Sequence, residues 1–471
     1  MSGRVLIRGG YVLSMDPDIG ELVGGDVLIE DQAIVEVRRQ VQVDECAVID
    51  ASGCIVMPGF VDTHRHTWQA PWRNIGSDWS LFHYLWGMHT GLSKYYRAED
   101  TYAGNLLGAL EALDAGITTL LDWSHNLATP EHADAAIAGL RAAGGRSVFA
   151  HGGGAEQWGS VPGNAVPHPD DARRVRAEHF SSNEGLMTMA LAVRGPQFTT
   201  ADVALHDFRL AQDLDLDVTI HVGDGELGKT RPIEWLREKG LLSDRTTYVH
   251  CCTLGDDELQ MIADSGGKAS VAADVEMQMG HGWPATGRLL AAGIRPSLSI
   301  DVCSSTGGHM FGLMRTAIGT QRALDNAARE AAGGTLADGT EIELTCRDLL
   351  GFATIEGARA CGLDGRVGSL TPGKQADVIV VRADTLGMAP LNNAAGALVY
   401  NAHPGLVDTV LVAGRVVKRG GKLVDHDPAQ ILHLAEQTRD RVLARAHTDP
   451  VISDLRLGGD WIPRNPVATP A

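Results

Sequence analysis

His64 and His66 stand one residue apart at the end of the apolar run Ile55-Val-Met-Pro-Gly-Phe-Val-Asp-Thr-His-Arg-His66. Along a strand, side-chain direction repeats every two residues, so both imidazoles face the same side. Imidazole suits zinc, iron, copper or nickel. A divalent ion held with one open position activates water for hydrolysis. The spacing therefore reads as half of a metal site at the carboxyl end of a buried strand. Taken alone, a His-x-His pair reads equally well as two solvated loop histidines, and the rest of the chain has to decide between them.

The elements that must position such a pair are drawn from ordinary globular material. The chain has 471 residues, 44% hydrophobic and 21% charged, enough to bury a large domain with something smaller beside it. A net charge of −19 disfavours nucleic acid and anionic membrane surfaces as partners. The seven cysteines, Cys46, Cys54, Cys251, Cys252, Cys303, Cys346 and Cys361, are scattered without C-x-x-C spacing. That pattern fits a reducing compartment better than a disulfide framework. The N-terminus lacks a signal-peptide h-region, and no apolar run approaches the roughly 20 residues that span a bilayer. A cytoplasmic protein with a small-molecule substrate, no membrane or nucleic-acid partner and a homo-oligomeric assembly is expected.

Residues 1–53 read as short alternating strands broken by Gly and Asp, and 366–425 have the same texture. Together they predict one small β-domain assembled from both ends of the chain. Between them, 54–365 alternates apolar runs with helical stretches. The runs begin at 55–61 and continue with Ile117, Arg146, Met187, Asp217, Thr247, Lys268 and Pro296 as their first residues. Near-continuous apolar strands separated by helices suit a closed parallel barrel, each strand being covered on both faces. An open doubly wound sheet is the competing architecture. Residues 426–471 begin with a helix over 430–446 and end in a Pro-rich tail.

In a barrel of this kind reactive groups sit at the carboxyl ends of strands. His221 closes the fifth run, His250 the sixth and Asp301 the eighth. A polar residue at one strand end is ordinary; five on one face, with His64 and His66, are not. These residues, the segment Pro58-Gly-Phe-Val-Asp-Thr-His-Arg-His66 and the later Gly368-Ser-Leu-Thr-Pro-Gly-Lys-Gln-Ala-Asp-Val-Ile-Val together resemble the amidohydrolase superfamily. The resemblance spans nearly the whole chain. It is closest to the branch of cytosine deaminase, S-adenosylhomocysteine deaminase and the triazine hydrolases. It implies an α/β fold, a distorted (β/α)8 TIM barrel with a composite β-sandwich from both termini. It further implies a divalent metal on His64, His66, His221 and Asp301, with His250 beside the attacking water. Zinc is the first choice of metal, with iron, manganese or cobalt as alternatives. Asp301 would accept the water proton and pass it to the leaving nitrogen, and His250 would steady the tetrahedral centre.

The sequence departs from that pattern in places. The fourth strand runs into Val193-Arg-Gly-Pro-Gln197, with no lysine to bridge two metals, so one ion is expected. The deaminases place Glu three residues after the third metal histidine; here that position is Asp224, with Glu226 two residues on. Both are candidates for the proton donor, and the shorter Asp224 leaves the subtype open. The leading expectation is a deaminase-like hydrolase of an amino-heterocycle. Hydrolysis of an amide, urea or (thio)carbamate is the alternative, and a metal-containing binding protein without turnover is a third. Glu276, Gln278 and His281, in the stretch after the seventh strand, are candidate substrate contacts. So are Trp68, Trp72 and Trp86, from an aromatic-rich loop between Trp68 and Tyr96 expected to form a lid. His83 and His89 in that loop read as solvated or structural.

Overall fold

The computed structural model describes residues 3–159, 161–339, 342–447 and 449. The Pro-rich tail expected at the C-terminus lies outside the described residues. Two sheets organise the chain. The first is the barrel, eight parallel strands paired in chain order: Phe60–Arg65, Ile117–Ser124, Arg146–His151, Met187–Val193, Asp217–Val222, Thr246–His250, Lys268–Val271 and Ser297–Leu298. Both faces of these strands are covered, and every residue of the first three is buried, which is why they read as unbroken apolar runs rather than alternating ones. Helices Ala98–Asp114, Pro130–Ala143, Ala201–Asp213 and Thr286–Ala291 lie between successive barrel strands, in the alternation that the sequence suggests.

The eighth strand is only two residues long, shorter than its apolar run suggests. The chain leaves it to close the barrel by other means. Asp301 bridges Arg65, its N–H donating to His64 O at 2.8 Å while His66 N–H donates to Asp301 O at 2.9 Å. Asp62 braces the same seam, its carboxylate accepting from Ile300 N–H at 3.0 Å. Burial pushes the Asp62 carboxyl up to about 6 against the opposing pull of Arg65. The two elements that bring metal-ligand residue types to the site are thus stitched together by their own backbones.

The second sheet has nine strands. Its central strand pair joins the two ends of the chain: Cys54–Pro58 runs antiparallel to Val378–Arg382, with Met57 opposite Ile379. The apolar run expected to be one barrel strand over 55–61 is therefore two strands in two sheets. The break falls at Gly59, where a Cβ would collide with the Thr118 side chain, so the chain can pass from one sheet to the other only without one. The C-terminal helix, Pro428–Ala446, packs back onto the loop after the first barrel strand through Val442 and Ala446. Among the described residues no helix is long and apolar enough to cross a membrane.

Arg146 ties the sheets to each other. It opens the third barrel strand, is 1% exposed, and donates to both oxygens of Asp377 at 2.9 and 3.0 Å. Asp377 also accepts from Ala413 N–H at 2.8 Å. Removing one partner of a buried, bidentate pair leaves the other charged and unpaired, which costs about 3–5 kcal/mol. Arg146→Ala is expected to lower unfolding stability by that amount in denaturant titrations, whereas Arg245→Ala, whose Asp215 and Asp217 partners are exposed, should change it by less than about 1 kcal/mol.

Candidate active site

The carboxyl ends of the barrel strands gather His64, His66, His221, His250 and Asp301 in one buried cluster. His64 Nε2 lies 3.1 Å from His221 Nε2. Asp301 Oδ1 is 3.3 Å from both His64 Nε2 and His66 Nε2. Asp301 and His250 adopt left-handed backbone conformations, φ 62° and 77°. Non-glycine residues adopt such angles only when their surroundings enforce them, and they concentrate at functional sites.

The protonation pattern tests what this cluster can hold. His66 Nδ1 lies 2.9 Å from Trp123 O, so Nδ1 carries the proton and Nε2 presents a lone pair. Burial holds the His64, His66 and His221 imidazoles below their ordinary range and hence neutral. Burial pushes the Asp301 carboxyl up, but His64, His250 and His66 outweigh it and hold it well below the usual carboxylate range. Satisfying Asp301 from His66 without an ion would need His66 doubly protonated in a dry site, which burial opposes. Bare nitrogens and an anionic oxygen converging on one point suit a cation. Tetrahedral zinc with ligands at about 2.0–2.1 Å places neighbouring ligand atoms about 3.3 Å apart, which matches the spacings here. His64, His66, His221 and Asp301 could therefore hold one divalent ion.

His250 sits beside this group with Nε2 3.7 Å from both Asp301 Oδ2 and Asp224 Oδ1. Its Nδ1 is pinned by Glu276 Oε1 at 3.2 Å. Burial alone lowers the imidazole, but Asp224, Glu276 and Asp301 override it and push it up to about 9. Glu276 also accepts from Ala272 N–H at 2.8 Å, so it orients His250 and does not line the cavity, contrary to the substrate contact expected of it.

The small cavity over the cluster, ≈ 30 Å³, is walled by Tyr84, His89, Trp158, Phe198 and Met279 and floored by the cluster itself. Several sequence expectations change here. Trp68 and Trp72 do not face the cavity: they are 0% and 2% exposed and form a separate core with Trp79, Met88 and the C-terminal helix. Trp86 is 42% exposed and stacks on Phe82 at the surface. Gln278 donates to the backbone oxygens of Gly76, Ser77 and Trp79, fastening the loop rather than meeting a ligand. Glu226 is exposed at the start of a short 3-10 turn and is not among the cavity residues. Asp224 and His281, by contrast, both line it.

The structure adds residues that the sequence reading passed over. His125 follows the second barrel strand directly, so the strand-end criterion that picks out His221 and His250 applies to it as well. It stacks on His66 at 3.8 Å and 11°. Trp68 Nε1–H donates to its Nδ1 at 2.9 Å, which leaves its Nε2–H as a donor without a partner. His89, expected to be structural, is 1% exposed, stacks on Trp158 at 4.7 Å and lines the cavity. Burial takes its imidazole down to about 3, so it is a neutral wall group. Trp158 and Phe198 come from loops after the third and fourth strands, where no periodicity marks them.

The chain matches the model of the amidohydrolase family over residues 55–417 and belongs to that family; it is a hydrolase of that kind. It is 30% identical over 450 residues to a 5'-deoxyadenosine deaminase of Methanothermobacter thermautotrophicus, covering 92% of this chain and 97% of the relative. A 5-methylthioadenosine/S-adenosylhomocysteine deaminase of Desulforudis audaxviator is 29% identical over 456 residues, covering 93% and 99%. The fold is similar to that of a zinc-bound adenosine deaminase from Xanthomonas campestris, with a TM-score of 0.79, 24% identity and coverage of 93% and 98%. It is also similar to that of a zinc-bound atrazine chlorohydrolase from Arthrobacter aurescens, with a TM-score of 0.80, 23% identity and coverage of 93% and 100%.

The loop tryptophans give a direct check of this geometry. Trp68→Ala and Trp72→Ala are expected to lower stability by about 3–5 kcal/mol as core truncations. Trp86→Ala should stay within about 0.5 kcal/mol of the parent and leave KM unchanged. Urea unfolding and steady-state kinetics on the three variants measure both.

Proposed function

We propose that this protein is a mononuclear metal-dependent aminohydrolase that replaces the amino group of a flat amino-heterocycle with oxygen and releases ammonia. The observation that carries the reading is the convergence of His64, His66, His221 and the Asp301 carboxylate on one point under an aromatic-walled cavity. The names of the relatives, deaminases of adenosine derivatives, support an amino-purine ring as the first substrate class to try. Zinc is the first choice of ion, supported by the nitrogen and oxygen donor set and by the zinc bound in similar structures. A single ion is supported by Arg194, which stands where a bridging lysine would be needed. Its guanidinium is instead committed to Gln157 O and Asn164 Oδ1 at 2.7 and 2.8 Å.

A divalent cation there supplies a Lewis acid that brings the pKa of water toward neutrality. The chain's own groups do the rest. Asp301 Oδ2 takes the proton of the attacking water and returns it to the departing nitrogen. His250, oriented by Glu276, stabilises negative charge growing on the oxygen at the carbon under attack. The rings of Tyr84, His89 and Trp158 hold a flat substrate and exclude water. The Nε2–H of His125 offers a hydrogen bond to an acceptor on it.

One observation favours the second reading, cleavage of an amide, urea or carbamate link. Both oxygens of Asp224 are already hydrogen-bonded, to Gln197 and His281, so Asp224 is not free to protonate a ring nitrogen itself.

Ammonia release on a panel of amino-purines, amino-pyrimidines, ureas and amides separates the two. Deamination predicts stoichiometric ammonia from an amino-heterocycle, whereas release of an organic amine from a urea or amide would replace it with the second reading. Elemental analysis should find about one divalent ion per chain, with occupancy lowered in His64→Ala, His66→Ala, His221→Ala and Asp301→Ala. Asp301→Asn should keep much of the metal, since an amide oxygen can still ligate, and lose at least about 10²-fold in kcat, since it cannot accept a proton.

A further inference from the structure

His281, Asp224 and Gln197 form a chain of hydrogen bonds across three loops at the mouth of the barrel. Gln197, after the fourth strand, accepts from Gly223 N–H at 2.8 Å and donates through Nε2 to Asp224 Oδ2 at 2.5 Å. Asp224, after the fifth strand, meets His281 Nδ1 with its other oxygen at 2.9 Å. The amide orientation of Gln197 is fixed by the Gly223 donor. Each carboxylate oxygen of Asp224 thus accepts from one of these donors, and as an anion held between two donors it has no proton of its own to give. A carboxylate cannot donate to Nδ1, so His281 Nδ1 carries the proton and Nε2 is the working end of the imidazole. That Nε2 is buried and has no hydrogen-bond partner. His281 is 4% exposed and lines the cavity. Its ring lies 4.5 Å from that of His250, so it borders the reacting centre.

We propose that His281 is the catalytic proton donor of this enzyme, with Asp224 and Gln197 as the residues that position it. This rests on the aminohydrolase reading above and supplies the acid that Asp224 cannot be. The protonated imidazole, with Asp224 as its counter-charge, gives its Nε2 proton to the ring nitrogen next to the carbon under attack as the water oxygen bonds to that carbon. Asp301 holds the proton lost by the water. When the tetrahedral adduct collapses, the carbon–nitrogen bond breaks and the amino group leaves as ammonia with the Asp301 proton. The remaining hydroxyl proton returns to His281 Nε2, the new carbonyl forms, and the ring nitrogen keeps its hydrogen. Water supplies every atom gained and no oxidant or reductant enters. The same donor can protonate the leaving nitrogen of a urea or amide, so the assignment can be tested on whichever substrate the wild-type enzyme accepts.

The test uses the metal-loaded full chain. His281→Ala is expected to keep its metal and to change KM by less than about threefold. It should lose about 10²–10³-fold in kcat, within the range of general acid catalysis. Added imidazole should restore at least tenfold of that loss in a saturable way, which a purely structural role would not allow. Asp224→Asn should lower kcat without creating an imidazole-rescuable enzyme, because the ring remains in place. A His281→Ala enzyme with near wild-type kcat, or one that loses rate and gains nothing from imidazole, overturns the proposal; if it does not fold, His281→Gln is measured in its place for loss of kcat at unchanged KM. Nitrogen-15 imidazole spectra of the wild-type holoenzyme test the relay without any turnover. They should show His281 Nδ1 protonated and hydrogen-bonded, with that signal shifted in Asp224→Asn, and a bare Nδ1 overturns the assignment. If wild-type ammonia release fails while rescue or the Nδ1 signal holds, the substrate reading falls and the proton donor stands.

Discussion

The imidazole nitrogens of His64 and His221 lie 3.1 Å apart, and one Asp301 oxygen lies 3.3 Å from both His64 Nε2 and His66 Nε2; such lone pairs repel in a dry interior unless something positive lies between them. Burial keeps the imidazoles neutral and so keeps their lone pairs available. The same burial makes the Asp301 carboxylate costly without a counter-charge. The site is arranged for a cation, and much of the surrounding structure serves to hold it in that arrangement. Trp123 O selects the His66 tautomer, Asp62 braces the closing seam, and Asp301 is kept in its left-handed conformation by the backbone bonds at that seam. Outer contacts of this kind set ligand orientation and basicity.

The two sheets contribute differently. The barrel aims side chains through its strand ends, which is why the reactive groups come from distant parts of the chain yet converge. The terminal sheet contributes no residue to the cavity. Its part is to fix where the first barrel strand begins, through the crossing at Gly59 and the Arg146–Asp377 pair. A register slip of one residue in that strand would turn His64 and His66 to the opposite face.

What the sequence made legible follows from that division. Period-two spacing and polar residues closing apolar runs are local signals, and they located His64, His66, His221, His250 and Asp301. The split of 55–61 between two sheets was hidden because both halves are fully buried and share one hydrophobic texture. Aromatic enrichment between Trp68 and Tyr96 signalled burial without saying against what. Trp68 and Trp72 face a helix some 370 residues further along the chain, and no local pattern encodes that contact. Asp224 has the spacing of the expected proton donor and Glu226 has its side-chain length, so the sequence did not choose between them. The loop turns one inward to Gln197 and His281 and leaves the other exposed. Trp158 and Phe198 sit on irregular loops whose paths depend on buried anchors such as Arg194.

X-ray absorption at the metal edge of the purified holoenzyme addresses the account most directly. A single ion on His64, His66, His221 and Asp301 predicts a first shell of nitrogen and oxygen alone at about 2.0–2.1 Å. It also predicts outer-shell scattering from three imidazoles, reduced in His221→Gln and unchanged in His250→Gln. A metal–metal vector near 3.5–4 Å, sulfur in the first shell, or a spectrum indifferent to His221→Gln would contradict it.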